Sequence, residues 1–111
     1  MSIPMADIPG SVTDTIRSFI GHVKEDIRVD KVVLFGSYAK GNFHESSDID
    51  LAIVSPDFKE EECIDNMTRL LRKAMRIRAD IQTIPFTPEE YNNPKGLMEE
   101  IRSTGIELKV A

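Results

Sequence analysis

Asp48 and Asp50 stand two residues apart, and a Gly-Ser pair, Gly36-Ser37, precedes them across the ten positions 38–47. Each half of this pattern suggests a chemistry. Glycine has no side chain to hold a ligand off, so the backbone N–H groups beside it can close on phosphate oxygens. Two carboxylates on one face of a strand offer hard oxygen donors for a divalent cation. Together they suit a polyphosphate carrying its metal. Either half alone is weak, because the chain has nine aspartates in 111 residues, and a lone Gly-Ser reads as a turn. The context adds weight. The apolar run Lys31-Val32-Val33-Leu34-Phe35 leads into Gly36, and Leu51-Ala52-Ile53-Val54 follows Asp50, so the motif joins two strands.

The elements that must position these residues are legible on either side. Residues 1–10 hold two prolines and a glycine and read as a loose lead-in. Ser11 with Asp14 resembles a capping box, and Val12, Ile16, Phe19, Ile20, Val23 and Ile27 recur at helical spacing. Lys31–Phe35 is a buried strand, 38–40 a single helical turn, 42–47 a polar loop. Asp48–Val54 is a second strand with Ile49, Leu51 and Ile53 on the face opposite the acids.

Beyond the break at Ser55-Pro56-Asp57, a helix is expected from about Glu60 to Arg78. Cys63, Ile64, Met67, Leu70, Leu71, Ala74 and Met75 would be its buried stripe. Glu60, Glu61 and Glu62 open it and Arg72, Lys73, Arg76 and Arg78 close it, which matches the helix dipole and reads as a solvated, basic helix end. Residues 79–85 form a third strand with Asp80 at its start. Thr87-Pro88-Glu89-Glu90 is a helix cap with proline at the first helical position. A short helix over Gly96–Ser103, stopped by Gly105, and an alternating strand over Ile106–Val110 complete the chain. The order implies a mixed α/β sheet of about four strands with helices packed on it, one domain over residues 11–111.

Bulk properties exclude several classes. Net charge is −5, from 14 basic and 19 acidic residues. A surface that coats nucleic acid is therefore not expected, while a nucleotide substrate is compatible, its charge met locally by metal and backbone donors. The single cysteine, Cys63, rules out an internal disulfide and fits a reducing cytoplasm. No apolar run approaches membrane-spanning length, and the N-terminus lacks the basic and apolar segments of a signal peptide.

Gly36-Ser37-Tyr38-Ala39-Lys40-Gly41, ten residues on from the Gly-Ser to Asp48-Ile49-Asp50, resembles the signature of the nucleotidyltransferase superfamily of DNA polymerase beta type. The short chain is similar to its minimal nucleotidyltransferase branch. The likeness runs from about Val29 to Pro85 and implies the polymerase beta-like α/β fold. It implies that Asp48 and Asp50 are catalytic metal ligands, with Asp80 as the third carboxylate and the group that could draw the proton from the incoming hydroxyl. Gly36 and Ser37 would hold the β- and γ-phosphates of ATP, while Lys40 either reaches a phosphate or packs outward. Mg²⁺, in two ions, is the implied cofactor. Asp80 has a plainer reading as a surface acid at a strand start. Tyr38 and Phe43 either flank a base or pack locally, His44 is a solvated loop residue, and Ser47 caps or orients the acid pair.

Larger members carry a helical domain that binds the acceptor, and none is expected here, so the acceptor platform should come from another chain, a second copy or a different protein. The branch is most similar to antitoxins paired with a helical toxin of the HEPN type. That resemblance implies transfer of AMP from ATP to a toxin side chain, often tyrosine. Two alternatives stand beside it. One is a subunit that acts on a small hydroxylated molecule together with a helical partner. The other is a non-enzymatic antitoxin that only masks its target, a role for which clustered acids are not needed.

Overall fold

The computed structural model describes residues 8–44, 46–77 and 80–109. Its centre is β1 (Lys31–Phe35), whose Val32, Val33 and Leu34 are buried on both faces of the sheet. β1 pairs antiparallel with β2 (Ile49–Val54) and with β4 (Ile106–Leu108). β2 pairs parallel with β3 (Ile81–Phe86), so the sheet runs β3-β2-β1-β4. A parallel pair needs a crossover, and α3 (Cys63–Met75) supplies it. Pro85 has no N–H for a ladder, and it sits on an edge strand, where that donor is not needed. The mixed four-stranded sheet expected from the sequence is the one observed.

Strand alternation divides the interior in two. Val32, Leu34, Ile49, Leu51 and Ile53 face α1 (Gly10–Val23), α2 (Ser37–Lys40) and α3 across the larger core. Val33, Ala52, Val54 and Phe86 point the other way, against Tyr91, Met98 and Ile101 of α4 (Pro88–Asn92) and α5 (Leu97–Thr104). These last two helices are short, and the residues they bury mark the Val54/Phe86 end of the sheet. The opposite end of that face carries the candidate acids.

Local signals set most boundaries. Thr87 forms the expected capping box, its Oγ1 accepting from Glu90 N–H at 3.1 Å while Glu90 Oε1 accepts from Thr87 N–H at 2.8 Å. Gly105 does more than stop α5. A Cβ there would lie 2.6 Å from both Ile101 O and Val33 Cγ1, so the chain can thread between helix and sheet only with hydrogen at this position.

Three expectations are corrected. Ile8 is buried in the larger core and α1 begins at Gly10, so residues 8–10 are not a loose lead-in; residues 1–7 lie outside the described residues. Ser11 falls inside the helix and makes no capping box, because Pro9 occupies the N-cap.

The second correction concerns the stripe of α3. Leu70 and Ala74 are buried, together with Asn66 and Lys73, but Cys63, Ile64, Met67, Leu71 and Met75 are exposed. The helix lies over β3, the last strand of the sheet, and against α1, so its outer flank overhangs the sheet edge, where none of the described residues covers it.

The third correction is Lys73, expected in a solvated basic end. It is buried and its ammonium lies 2.9 Å from Asp26 and 3.8 Å from Glu25, tying α3 to the turn after α1. α3 ends at Met75, earlier than expected, and β4 at Leu108; Arg78, Ala79 and Val110 lie outside the described residues.

Candidate active site

The acids enter from strand starts. Asp48 is the exposed residue just before β2, and Asp50 is its second residue, half-buried and in register with Phe35. Asp50 pairs with Gln82 across the parallel ladder, and Ile49 with Ile81. Stepping back by one residue sets Asp80 beside Asp48, where Ile49 N–H donates to the Asp80 carbonyl at 2.9 Å. Period-two alternation then puts Asp48, Asp50 and Asp80 on one face at one corner of the sheet, the corner α4 and α5 leave open. Asp80, called from sequence only as the best third acid, is thus held in place by the crossover.

Gly36 closes this corner from the β1 side. It adopts φ +75°, a left-handed conformation that disfavours side chains, and it caps α2. A Cβ on Gly36 would run into the Asp50 carboxylate, with Asp50 Cγ at 3.0 Å and Asp50 Cβ at 3.3 Å. The Gly-Ser and the Asp-x-Asp are therefore one site, the second acid filling the space that the missing side chain leaves. Ser37 begins α2 and is half-buried, at the end of the turn where the first backbone N–H groups lack intrahelical partners. Lys40 stands at the far end of α2, exposed, and the structure does not bring it to the acids.

The electrostatics fit a cation. Burial, and next the charge of Asp48, hold the Asp50 carboxyl above its ordinary range. Among the described residues no three His, Cys, Asp or Glu side chains converge into a closed metal cluster. The donor set itself, aspartate oxygens beside a backbone cradle, suits a hard divalent ion.

Neighbouring residues resolve several readings. Tyr38 is buried and its ring stacks on Phe43 at 4.6 Å, so the pair packs locally rather than flanking a base. His44 is exposed and its ring lies 2.9 Å from the Ser46 hydroxyl. Ser47 is buried, and its Oγ accepts from His44 N–H at 2.8 Å while its own N–H donates to the His44 carbonyl at 2.9 Å. It locks the loop that delivers Asp48. The contact between Gly36 and Asp50 was not readable from sequence. The positive φ favoured by glycine was the signal, but only the β1–β2 register shows what fills the space.

The nucleotidyltransferase domain family matches residues 16–103, and the chain belongs to it. Two proteins of Methanocaldococcus jannaschii are similar. "Putative protein adenylyltransferase MJ0604" is 43% identical over 60 residues, a match spanning 52% of this chain and 59% of that protein. "Putative protein adenylyltransferase MJ0141" is 29% identical over 101 residues, 84% of this chain and 98% of that protein. The crystal structure of a putative nucleotidyltransferase from Sulfolobus solfataricus superposes with a TM-score of 0.64, covering 84% of each chain at 24% identity, and shows the same fold. The family and fold expected from the Gly-Ser and Asp-x-Asp pattern are borne out. Among the described residues no helix is long and apolar enough to cross a membrane.

Proposed function

We propose that this chain transfers AMP from ATP to a hydroxyl of a partner protein, a tyrosine of a helical HEPN-type toxin in the reading that the family resemblance favours, and so acts as an antitoxin. The observation that carries nucleotide transfer is the packing of Asp50 into the space over Gly36, which joins a carboxylate site to a phosphate cradle. The adenylyl group and a protein acceptor rest on the similarity to the two archaeal proteins named for that activity.

The residues divide the work. Gly36 leaves room for the triphosphate, and N–H groups at the start of α2 with the Ser37 hydroxyl are the donors for its oxygens. Asp48 and Asp50 would hold Mg²⁺, with Asp80 completing the set. When bound, the metal supplies charge neutralisation at the reacting phosphate and lowers the cost of ionising the acceptor hydroxyl. Asp80, on the neighbouring strand, would accept the proton the hydroxyl loses as its oxygen attacks the α-phosphate and pyrophosphate leaves. Positioning and electrostatics carry most of the barrier in such a reaction. Asp48 is exposed, so an acceptor presented by another molecule could approach it.

The test is an intact mass of a co-purified or genomically adjacent helical partner after incubation with Mg-ATP. A gain of about 329 Da per site, lost with Asp48→Asn, supports the metal-assisted reading. An unmodified partner with transfer to a small hydroxylated compound would favour a small-molecule enzyme. A partner neutralised without modification, also by the Asp48→Asn variant, would make the chain a masking antitoxin.

A further inference from the structure

The overhanging flank of α3 is an apolar stripe in a chain that is 30% charged. Ile64, Met67, Leu71 and Met75 are 79, 47, 53 and 69% exposed, and their spacing of three, four and four residues runs them along one line of the helix. Isolated exposed apolar residues are ordinary, but four large ones in a row mark a contact surface. Beside them, between α3 and the edge strand, lies a groove of about 370 Å³ floored by Ile81, Gln82 and Thr83.

Charge says what covers it. Glu60, Glu61 and Glu62 precede α3 and Asp65 lies in its first turn, while Arg72 and Arg76 lie at its end. Asp65, Arg72 and Arg76 are exposed and spaced by seven and four residues, so they line the same flank of the stripe. The order along that flank is acid first, base last. A two-fold axis perpendicular to two antiparallel helices brings each flank against its own copy, reversed. Acid then meets base at both ends. In a parallel two-fold pair this flank would face the opposite flank of the partner and not its own copy.

We propose that the α3 stripe is a homodimer surface, filled by the antiparallel α3 of a second copy. Met67 packs on the partner's Leu71, Ile64 on the partner's Met75, and Asp65 faces the partner's Arg72 on each side of the axis. Arg76 already lies 3.6 Å from Glu25, so Arg72 is the cation the flank offers outward. The helix is only about 20 Å long at 1.5 Å per residue, shorter than a standard interface of about 800 Å² per partner requires. The dimer is accordingly concentration-dependent. Ile81 follows Asp80 directly, so the second copy borders the acid corner without entering it. This dimer goes beyond nucleotide transfer and stands or falls separately from it.

Sedimentation equilibrium of the full chain, from low micromolar to about 0.5 mM, tests it. The wild type should dimerise, and Leu71→Glu, a change at an exposed position, should weaken association at least tenfold while keeping its circular dichroism melt. Asp65→Lys alone and Arg72→Glu alone should each weaken self-association, and mixing the two should restore a heterodimer, because every lysine then faces a glutamate and every arginine an aspartate. A monomer across the whole range overturns the proposal, as would a helical partner of different sequence taking the face instead. Dimers that survive Leu71→Glu, or a mixture that stays monomeric, overturn it too.

Discussion

Gly36 is the residue on which the site turns, because its missing Cβ and the Asp50 carboxylate occupy the same space. Gly36→Ala combines a left-handed φ with a direct clash, and should cost about 1–3 kcal/mol. It should also abolish stabilisation by nucleotide, read as loss of the shift in melting temperature on adding Mg-ATP. The wild type should melt higher with Mg-ATP than with either component alone, since binding to the native state stabilises it by mass action. Asp48→Asn and Asp50→Asn should lose that rise without unfolding. In the metal-free protein Asp50→Asn should melt no lower than wild type, because a carboxyl whose folded pKa is raised opposes folding at neutral pH. The same sign means that the unfavourable contribution of Asp50 alone fades as pH falls from neutral toward the carboxylate range. If Asp50→Asn melted well below wild type, the burial cost assigned to its charge would be wrong.

The helices differ in how far sequence alone determines them. Thr87 and Glu90 satisfy each other's backbone donors without help from elsewhere, and Thr87→Ala should cost about 1 kcal/mol, a drop of several degrees in melting temperature. Gly105→Ala should cost more, about 1–3 kcal/mol, since two of its three close neighbours are backbone carbonyls that cannot turn aside. The α1–α3 tie has a pH signature. The Lys73 hydrogen bond holds Asp26 below its usual range, a contribution in full above the ordinary carboxylate pKa and lost as pH falls through the lowered one. Asp26 is largely exposed, so its share is below about 1 kcal/mol. Asp26→Asn should therefore lower the melting temperature at pH 7, with the gap to wild type closing in acid. A gap that persists at about pH 2 would mean the loss is not electrostatic.

At the scale of the molecule, strands and acids were legible and partners of faces were not. Lys31–Phe35 and the run to Val54 announce themselves because both faces of these strands are covered, so apolar residues stand nearly without interruption. Asp48 and Asp50 break such a run, which is why they stand out. The stripe of α3 was misjudged because helical periodicity records an apolar face without saying what lies under it. Only the sheet order, with β3 last, shows that the flank overhangs an edge. Ile8 was missed for the converse reason: a proline- and glycine-bordered stretch looks irregular, yet one side chain in it fills the core.

The parallel pairing of β2 with β3 sets a schedule as well as a shape. Asp48 and Asp50 leave the ribosome well before Asp80, and antiparallel β1–β2 can form by local closure while the crossover is still being made. Long-range parallel contacts form late, since loop closure must precede any gain from them. The cradle over Gly36 is therefore complete before its third acid arrives. A chain arrested short of β3 would carry the two-acid half of the site without Asp80, with α4, α5 and β4 still to be made.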